Sequence, residues 1–343
     1  MPAAMLFAAA VTAVVTGVLT PLLAAWARGR RFLDVPNARS SHVVATPRIG
    51  GVALVLGVFG GVLILHLAGG DISRDTILVL AGALAIGLLG LADDFWQLPA
   101  LGRLAVQAAV AVCVVLAMDV ATLPGANAGG WIPALLVVFW LVTLTNAFNF
   151  MDGIDGIAGA QALVAGTGWA AIGLLIGMPQ PAALGLLLAA AGAGFLLHNW
   201  QPAKVFMGDA GSGFFGFLFA ALPLLAPAGS GFAWWCAVLL MWPFLFDTGF
   251  TLLRRIRRGE NLLSAHRSHI YQRLVLTGRS HRHVALVYAG LALLGAMGAV
   301  SLATGTRLAL LASVSAIVSA AALVWWNLAS REDASRRSTG AVL

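Results

Sequence analysis

The chain has 343 residues, 60% of them hydrophobic and only 10% charged, with a formal net charge of +7 and a mean hydropathy of +0.94. A water-soluble domain carries about 25% charged residues, so a soluble globular fold is excluded. The apolar runs are about 17–25 residues long without period-two alternation, which selects helices over a barrel; the fold class is all-α, a polytopic membrane helix bundle whose backbone is satisfied within each span.

Taken in order, eleven transmembrane helices are predicted at about 3–25, 49–68, 76–92, 104–123, 131–148, 158–177, 182–198, 213–228, 232–252, 284–303 and 308–328. No basic stretch precedes the first run, which reads as a retained span rather than a cleaved signal. The odd-numbered connections and the C-terminal tail hold 18 of the 20 Lys and Arg residues, leaving out only Arg74 and Arg307. By the positive-inside rule these connections are cytoplasmic, with the N-terminus periplasmic and the C-terminus cytoplasmic. The net charge is then directed at a lipid leaflet rather than at nucleic acid. The connections are too short to fold alone, so residues 1–343 read as a single integral-membrane domain. Cys113 and Cys236 lie in apolar runs without partners at metal spacing and read as packing residues.

Polar clusters interrupt this plan on the basic side. The first connection reads DVPNARSSHVVATPRIGG, where Arg39, His42 and Arg48 are candidates for phosphate or headgroup contact. Asp93 and Asp94 end the third span; adjacent carboxylates at a membrane boundary call for a cation or a proton-transfer role. In NAFNFMDGIDGIAG, Asn149, Asp152 and Asp155 recur every three residues, on one helix face or in a loop around a ligand, within reach of a nucleotide, sugar or metal. HNWQPAKVFMGDAGSG carries Asn199, the only lysine (Lys204), and Asp209 among glycines ahead of an apolar run. Glycine-rich backbone at a helix start suits phosphate, and the aspartate suits a divalent cation on it. Asp247, inside the ninth span, either orients a catalytic group or pairs with an arginine. His266, His269 and Arg273 stand at i, i+3 and i+7, one face of a predicted helix suited to a diphosphate, while His281 and His283 read as surface residues.

Together these motifs resemble the polyprenyl-phosphate N-acetylhexosamine-1-phosphate transferases, glycosyltransferase family 4. The matching stretches are DVPNARSSH…TPRIGG, GLADDFWQL, NAFNFMDGIDGIAG, NWQPAKVFMGDAGS, Asp247-Thr248 and HRSHIYQRL, in family order from residue 34 to 274. The eleven-span layout resembles the GlcNAc-1-phosphate and O-antigen-initiating branch more than the phospho-MurNAc-pentapeptide branch. The resemblance implies transfer of an N-acetylated amino-sugar-1-phosphate, GlcNAc-type or a 6-deoxy relative, from a UDP-sugar to undecaprenyl phosphate. UMP is released with Mg²⁺ as cofactor (Mn²⁺ as a substitute), on the cytoplasmic face of the bacterial inner membrane, for O-antigen or other envelope polysaccharide. It implies catalytic roles for Asp93, Asp94, Asp209 and His269, and metal ligation by Asp209 with Asp152 or Asp155. Substrate contacts are implied for Arg48, Asn149, Asp152, Asp155, Asn199, Lys204, Arg267 and Arg273. The partners are the UDP-N-acetylhexosamine, undecaprenyl phosphate and membrane lipids, with a homodimer compatible and no nucleic acid. One departure is clear: Tyr271 and Gln272 stand where the family signature continues with histidines. An intramembrane prenyltransferase would not need FMGDAGS or the long basic loop, and a divalent-cation transporter would need polar residues along a path to both faces.

Overall fold

A computed structural model describes residues 2–30, 32–36, 44–118, 131–227, 229–261 and 266–340, with side chains described to residue 326. Arg39 and His42 lie outside the described residues. The described chain forms twelve α-helices: α1 (Pro2–Gly29), α2 (Gly50–Leu67), α3 (Arg74–Trp96), α4 (Ala100–Ala117), α5 (Trp131–Met151), α6 (Ile157–Ile176), α7 (Pro179–Asn199), α8 (Gly208–Ala221), α9 (Phe232–Arg257), α10 (Ile270–Leu276), α11 (His281–Ala303) and α12 (Arg307–Gly340). Eleven of them are long and apolar enough to cross a membrane, α8 being extended by a 3₁₀ turn over Leu222–Leu225. The all-α membrane bundle expected from composition is therefore the observed architecture.

Burial ranks the spans. In the apolar stretch of α8 89% of residues are buried, against 17% in α4 and 6% in α12, so α8 is the central column and α4 and α12 are peripheral. Lipid tails are as apolar as leucine, so such a column is held by close packing rather than by escape from water. Phe148 of α5 stacks on Phe219 of α8 at 5.9 Å and meets Phe215 and Phe244 edge-on at 6.2 and 5.4 Å, a packed aromatic floor below Asn149. Helices α3 and α8 approach so closely that a Cβ at Gly90 would fall on the Asp209 carbonyl.

Several span ends on the basic side extend beyond their sequence positions. Helix α3 runs on to Trp96, α5 to Met151 and α9 to Arg257, while α8 starts at Gly208 rather than near 213. Asp93 and Asp94, expected at the end of the third span, sit within it, Asn149 takes the helical alternative, and Asp209 lies in the first turn of α8 instead of a loop, with polar partners from neighbouring connections. The predicted helix carrying His266, His269 and Arg273 is shorter: α10 begins at Ile270, so His269 caps it and His266 lies in the preceding loop. A two-residue antiparallel ladder, β1 (Leu33–Asp34) with β2 (Thr46–Pro47), was not anticipated. Of the cysteines, Cys236 is buried as expected but Cys113 is exposed on α4.

Candidate active site

Five connections far apart in sequence meet at one end of the bundle. The Arg48 segment bridges to Phe206 in parallel, with Phe206 N–H donating to Pro47 O at 2.8 Å. Gly50 and Gly51, at the N-terminus of α2, donate to the Phe206 and Met207 carbonyls at 3.0 and 2.8 Å. This zipper sets the basic connection after α1 against the start of α8. Gly208 makes the turn at φ +72°, a conformation that favours glycine, with Asp94 where a side chain would otherwise project.

Two arginines and four aspartates then converge. Arg48 bonds Asp209 through Nη2 and reaches Asp94 through Nε at 3.0 Å. From the first turn of α4, Arg103 pairs with Asp93 and, at 2.9 Å, with the second Asp209 oxygen. Asp94 accepts the Asp209 and Ala210 N–H groups at 3.0 and 3.1 Å, capping α8 from another helix, and its side chain is 1% exposed. Those N–H groups have no intrahelical partner and carry the positive end of the helix dipole, so a carboxylate belongs there. Asp93 accepts Leu98 N–H at 2.7 Å and faces a narrow cavity of about 30 Å³ that Arg103, Gln107, Asn146, Asn149 and Asp209 also line. The adjacent pair thus divides into an internal cap, Asp94, and a cavity-facing carboxylate, Asp93. Asn149 stands beside Asp209 on the cavity wall.

Asp152, in the turn after α5, faces the same group. Shielding from water raises its pKa well above the usual carboxylate range; Arg48 pulls it down, but Asp209, Asp94 and Asp155 push it further up. For Arg48, burial works against the charge, yet Asp209 and Asp94 more than offset this and hold its pKa above the ordinary value.

A second hub lies alongside. Asp247 of α9 is fully buried. Its Oδ1 accepts from His269 Nδ1 at 3.1 Å, Ile270 N–H at 2.8 Å and Thr251 Oγ1 at 3.2 Å, and its Oδ2 from Tyr271 N–H at 3.0 Å and Tyr288 Oη at 2.6 Å. Asp247 therefore orients His269 and caps α10. A donating Nδ1 leaves Nε2 as the nitrogen open to substrate. The His266 ring lies 5.1 Å from that of His269 at a tilt, and burial together with His269 and Arg255 lowers its pKa to about 4, so it is neutral at pH 7.

Residues 76–226 match the description of glycosyl transferase family 4. The chain is 33% identical, over 91% of its own length and 84% of the relative's, to a probable undecaprenyl-phosphate N-acetylglucosaminyl 1-phosphate transferase of Bacillus subtilis. The chain belongs to glycosyl transferase family 4. Another relative, at 32% over 80% of this chain and 78% of its own, is a decaprenyl-phosphate N-acetylglucosaminephosphotransferase of Mycobacterium leprae. A phospho-N-acetylmuramoyl-pentapeptide-transferase of Listeria welshimeri is 26% identical over 85% of this chain and 95% of its own.

Within this family 4 site, several sequence-predicted residues bond outside the Arg48–Arg103 ion-pair group. Asp155 accepts Ala203 N–H at 3.1 Å and pairs with His281 at 3.2 Å, and Asn199 joins Gly156 N–H at 3.0 Å to the Val205 carbonyl at 2.9 Å. These two side chains lace the α5–α6 turn to the α7–α8 connection, and His281, expected at the surface, is part of the lacing. Lys204 is exposed in that connection, its carbonyl held by Arg28 at 3.0 Å. Arg273 is buried on α10 with its guanidinium 5.7 Å from the Trp325 ring of α12, and Arg267 is half-buried beside His266. The sequence reading missed Arg103, Gln107 and Asn146, whose amide reaches Gln107 Oε1 at 2.6 Å. A signal was present: Arg103 and Gln107 are four apart, one polar face on an otherwise apolar helix.

Among the described residues no three His, Cys, Asp or Glu side chains form a ready metal cage. The donor set nevertheless fits Mg²⁺, which usually takes one or two carboxylates and completes its shell with substrate phosphates and water. Among the described residues, Arg48 and Arg103 make the ion pairs to Asp93, Asp94 and Asp209, and with Asp152 beside them the four carboxylates exceed the two guanidinium groups by two negative charges when all are ionised.

Proposed function

We propose that this chain transfers N-acetylglucosamine-1-phosphate, or the 1-phosphate of a closely related N-acetylated sugar, from its UDP derivative to undecaprenyl phosphate, releasing UMP. The reading rests on one observation above others: an anionic centre with two flanking guanidinium groups, gathered from five connections at one end of a membrane bundle. Membership of family 4 and the names of the relatives support it.

In this reading a lipid-phosphate oxygen attacks the sugar-bearing phosphorus, a new P–O–P bond forms, and the bond to UMP breaks. Two anions must approach, so fixed positive groups have to offset their repulsion. Arg103 guides the lipid phosphate by exchanging a carboxylate partner for a phosphate oxygen. Asp93, at the cavity, accepts the proton of any monoanionic lipid phosphate. The second pKa of such an ester is about 6, so at pH 7 most acceptor is already dianionic and strong base catalysis is unnecessary. For that reason direct attack is preferred over a covalent aspartyl intermediate. Arg48, paired with Asp209 and Asp94, faces the diphosphate with Asp152 nearby, and His269, aligned by Asp247, donates to or orients a phosphate oxygen. Bound at Asp209 with Asp152, Mg²⁺ would neutralise charge on the diphosphate. In this reading the centre works at the cytoplasmic face of the bacterial inner membrane, which the charge of the basic connections supports, and an envelope polysaccharide such as O-antigen consumes the product.

The test is incubation of the purified chain with undecaprenyl phosphate and a panel of UDP-sugars, reading UMP with and without Mg²⁺. Magnesium-dependent UMP release with an N-acetylhexosamine donor is expected. Release of inorganic diphosphate, or no reaction with any donor, would overturn the reading.

A further inference from the structure

The carbonyl of Phe150 belongs to the last turn of α5, whose C=O groups lack intrahelical partners. Tyr271 Oη donates to it at 3.0 Å. Three residues on, a Cβ at Gly153 would fall on that same hydroxyl, so the phenol occupies the space a side chain would take. At its other end Tyr271 is tied to the Asp247 hub: its N–H donates to Asp247 at 3.0 Å, and its ring stacks on His269 at 5.8 Å and meets Tyr288 edge-on at 6.5 Å. The residue is 1% exposed. Burial, and then the nearby Asp247, raise the phenol pKa well above its usual value, so the hydroxyl keeps the proton it donates.

One rigid side chain therefore spans from the group that aligns His269 to the turn that carries Asp152. Its hydroxyl and its N–H are both engaged by protein groups. We infer that Tyr271 is a positioning residue: its hydroxyl bond to the Phe150 carbonyl, seated against Gly153, fixes the separation of Asp152 from His269 and so sets affinity for the donor diphosphate. This deepens the proposed function, since it takes Asp152 and His269 to face that diphosphate.

Tyr271→Phe removes the bond and keeps the ring, whereas Gly153→Ala pushes on the same contact from the loop side. Steady-state UMP release, with each substrate varied in turn, and calorimetric titration of UDP in the presence of Mg²⁺ would be measured for both variants and the double variant. For Tyr271→Phe, a five- to tenfold rise in donor KM is expected from the loss of about one hydrogen bond. The kcat should stay within about twofold, acceptor KM should not move, and UDP affinity should weaken by the same factor. Gly153→Ala should weaken donor binding at least as much, with the double variant no worse than Gly153→Ala alone because the two changes act on one contact. Unchanged UDP affinity in Tyr271→Phe, or strictly additive effects, would overturn the inference. A fall in kcat and melting temperature at constant KM would reduce Tyr271 to a packing residue and overturn it equally. If Tyr271→Phe does not fold, UDP affinity equal to wild type in Gly153→Ala refutes the strut. Should the wild type release no UMP, the proposed reaction falls, while the UDP titration still judges the strut.

Discussion

Replacing Asp247 by asparagine tests whether His269 is aligned from beneath. The aspartate receives five donors on two oxygens, whereas asparagine offers one oxygen and an NH₂ group. With the NH₂ in the Oδ2 position, the Tyr288 hydroxyl can turn and accept, but Tyr271 N–H is left facing a donor. The opposite rotamer sets the NH₂ against Ile270 N–H and His269 Nδ1, which is worse. An orphaned buried N–H costs about 1–3 kcal/mol. The remaining bonds lose charge assistance, which roughly doubles the strength of such bonds, adding about half a kcal/mol for each. The total is on the order of 3–5 kcal/mol. Turnover should fall at least ~10²-fold, because an amide no longer selects the histidine tautomer; behind a catalytic histidine such a change can cost ~10⁴-fold. Thermal melting of the detergent-purified variant and its UMP-release rate at saturating substrates read the two effects separately. Wild-type melting and wild-type turnover together would refute the assigned role of Asp247.

The acidic pair should separate by phenotype. Asp94→Asn should lower the melting temperature more than Asp93→Asn, since only Asp94 caps α8 and a lost cap costs about 0.5–2 kcal/mol; equal melting would contradict the division. Asp152 gives a pH signature in metal-free protein. Its pKa in the folded state is raised, so the folded protein binds the extra proton, and the associated stability is present below the unfolded value and lost as pH rises through the folded one. Asp152→Asn should therefore melt higher than wild type at pH 8, with the advantage shrinking toward pH 4; the reverse trend would exclude an uncompensated carboxylate. Gly90→Ala should lower stability by at least ~1–3 kcal/mol through overpacking of α3 on α8, read as a drop in melting temperature, whereas the outward-facing Gly102→Ala, with nothing near its Cβ, should not.

The number and order of spans were legible because long apolar runs have only one way to satisfy their backbone in lipid. The ends were not, because a charged residue at the edge of a run reads as loop. Asp94 stays helical only because α8, a hundred residues away, presents free N–H groups to it, and no local pattern records that. His269 was legible through its motif. Its place ahead of α10 was not, since the i, i+3, i+7 spacing fits a helix equally well. Arg103 was hidden for a different reason: a lone arginine at the start of a span carries the same topological signal whether or not it holds two carboxylates. Asp155 and Asn199 carry a tie between two connections that no local pattern records.

The central claim is that acidic and basic connections remote in sequence act together on one pair of phosphates. It is tested most directly by UMP release from purified Asp93→Asn, Asp209→Asn and His269→Ala, each with its melting temperature recorded. A loss of at least ~10²-fold in turnover is predicted for every one of the three, with the fold retained. Rates near wild type in any two of them would contradict the account.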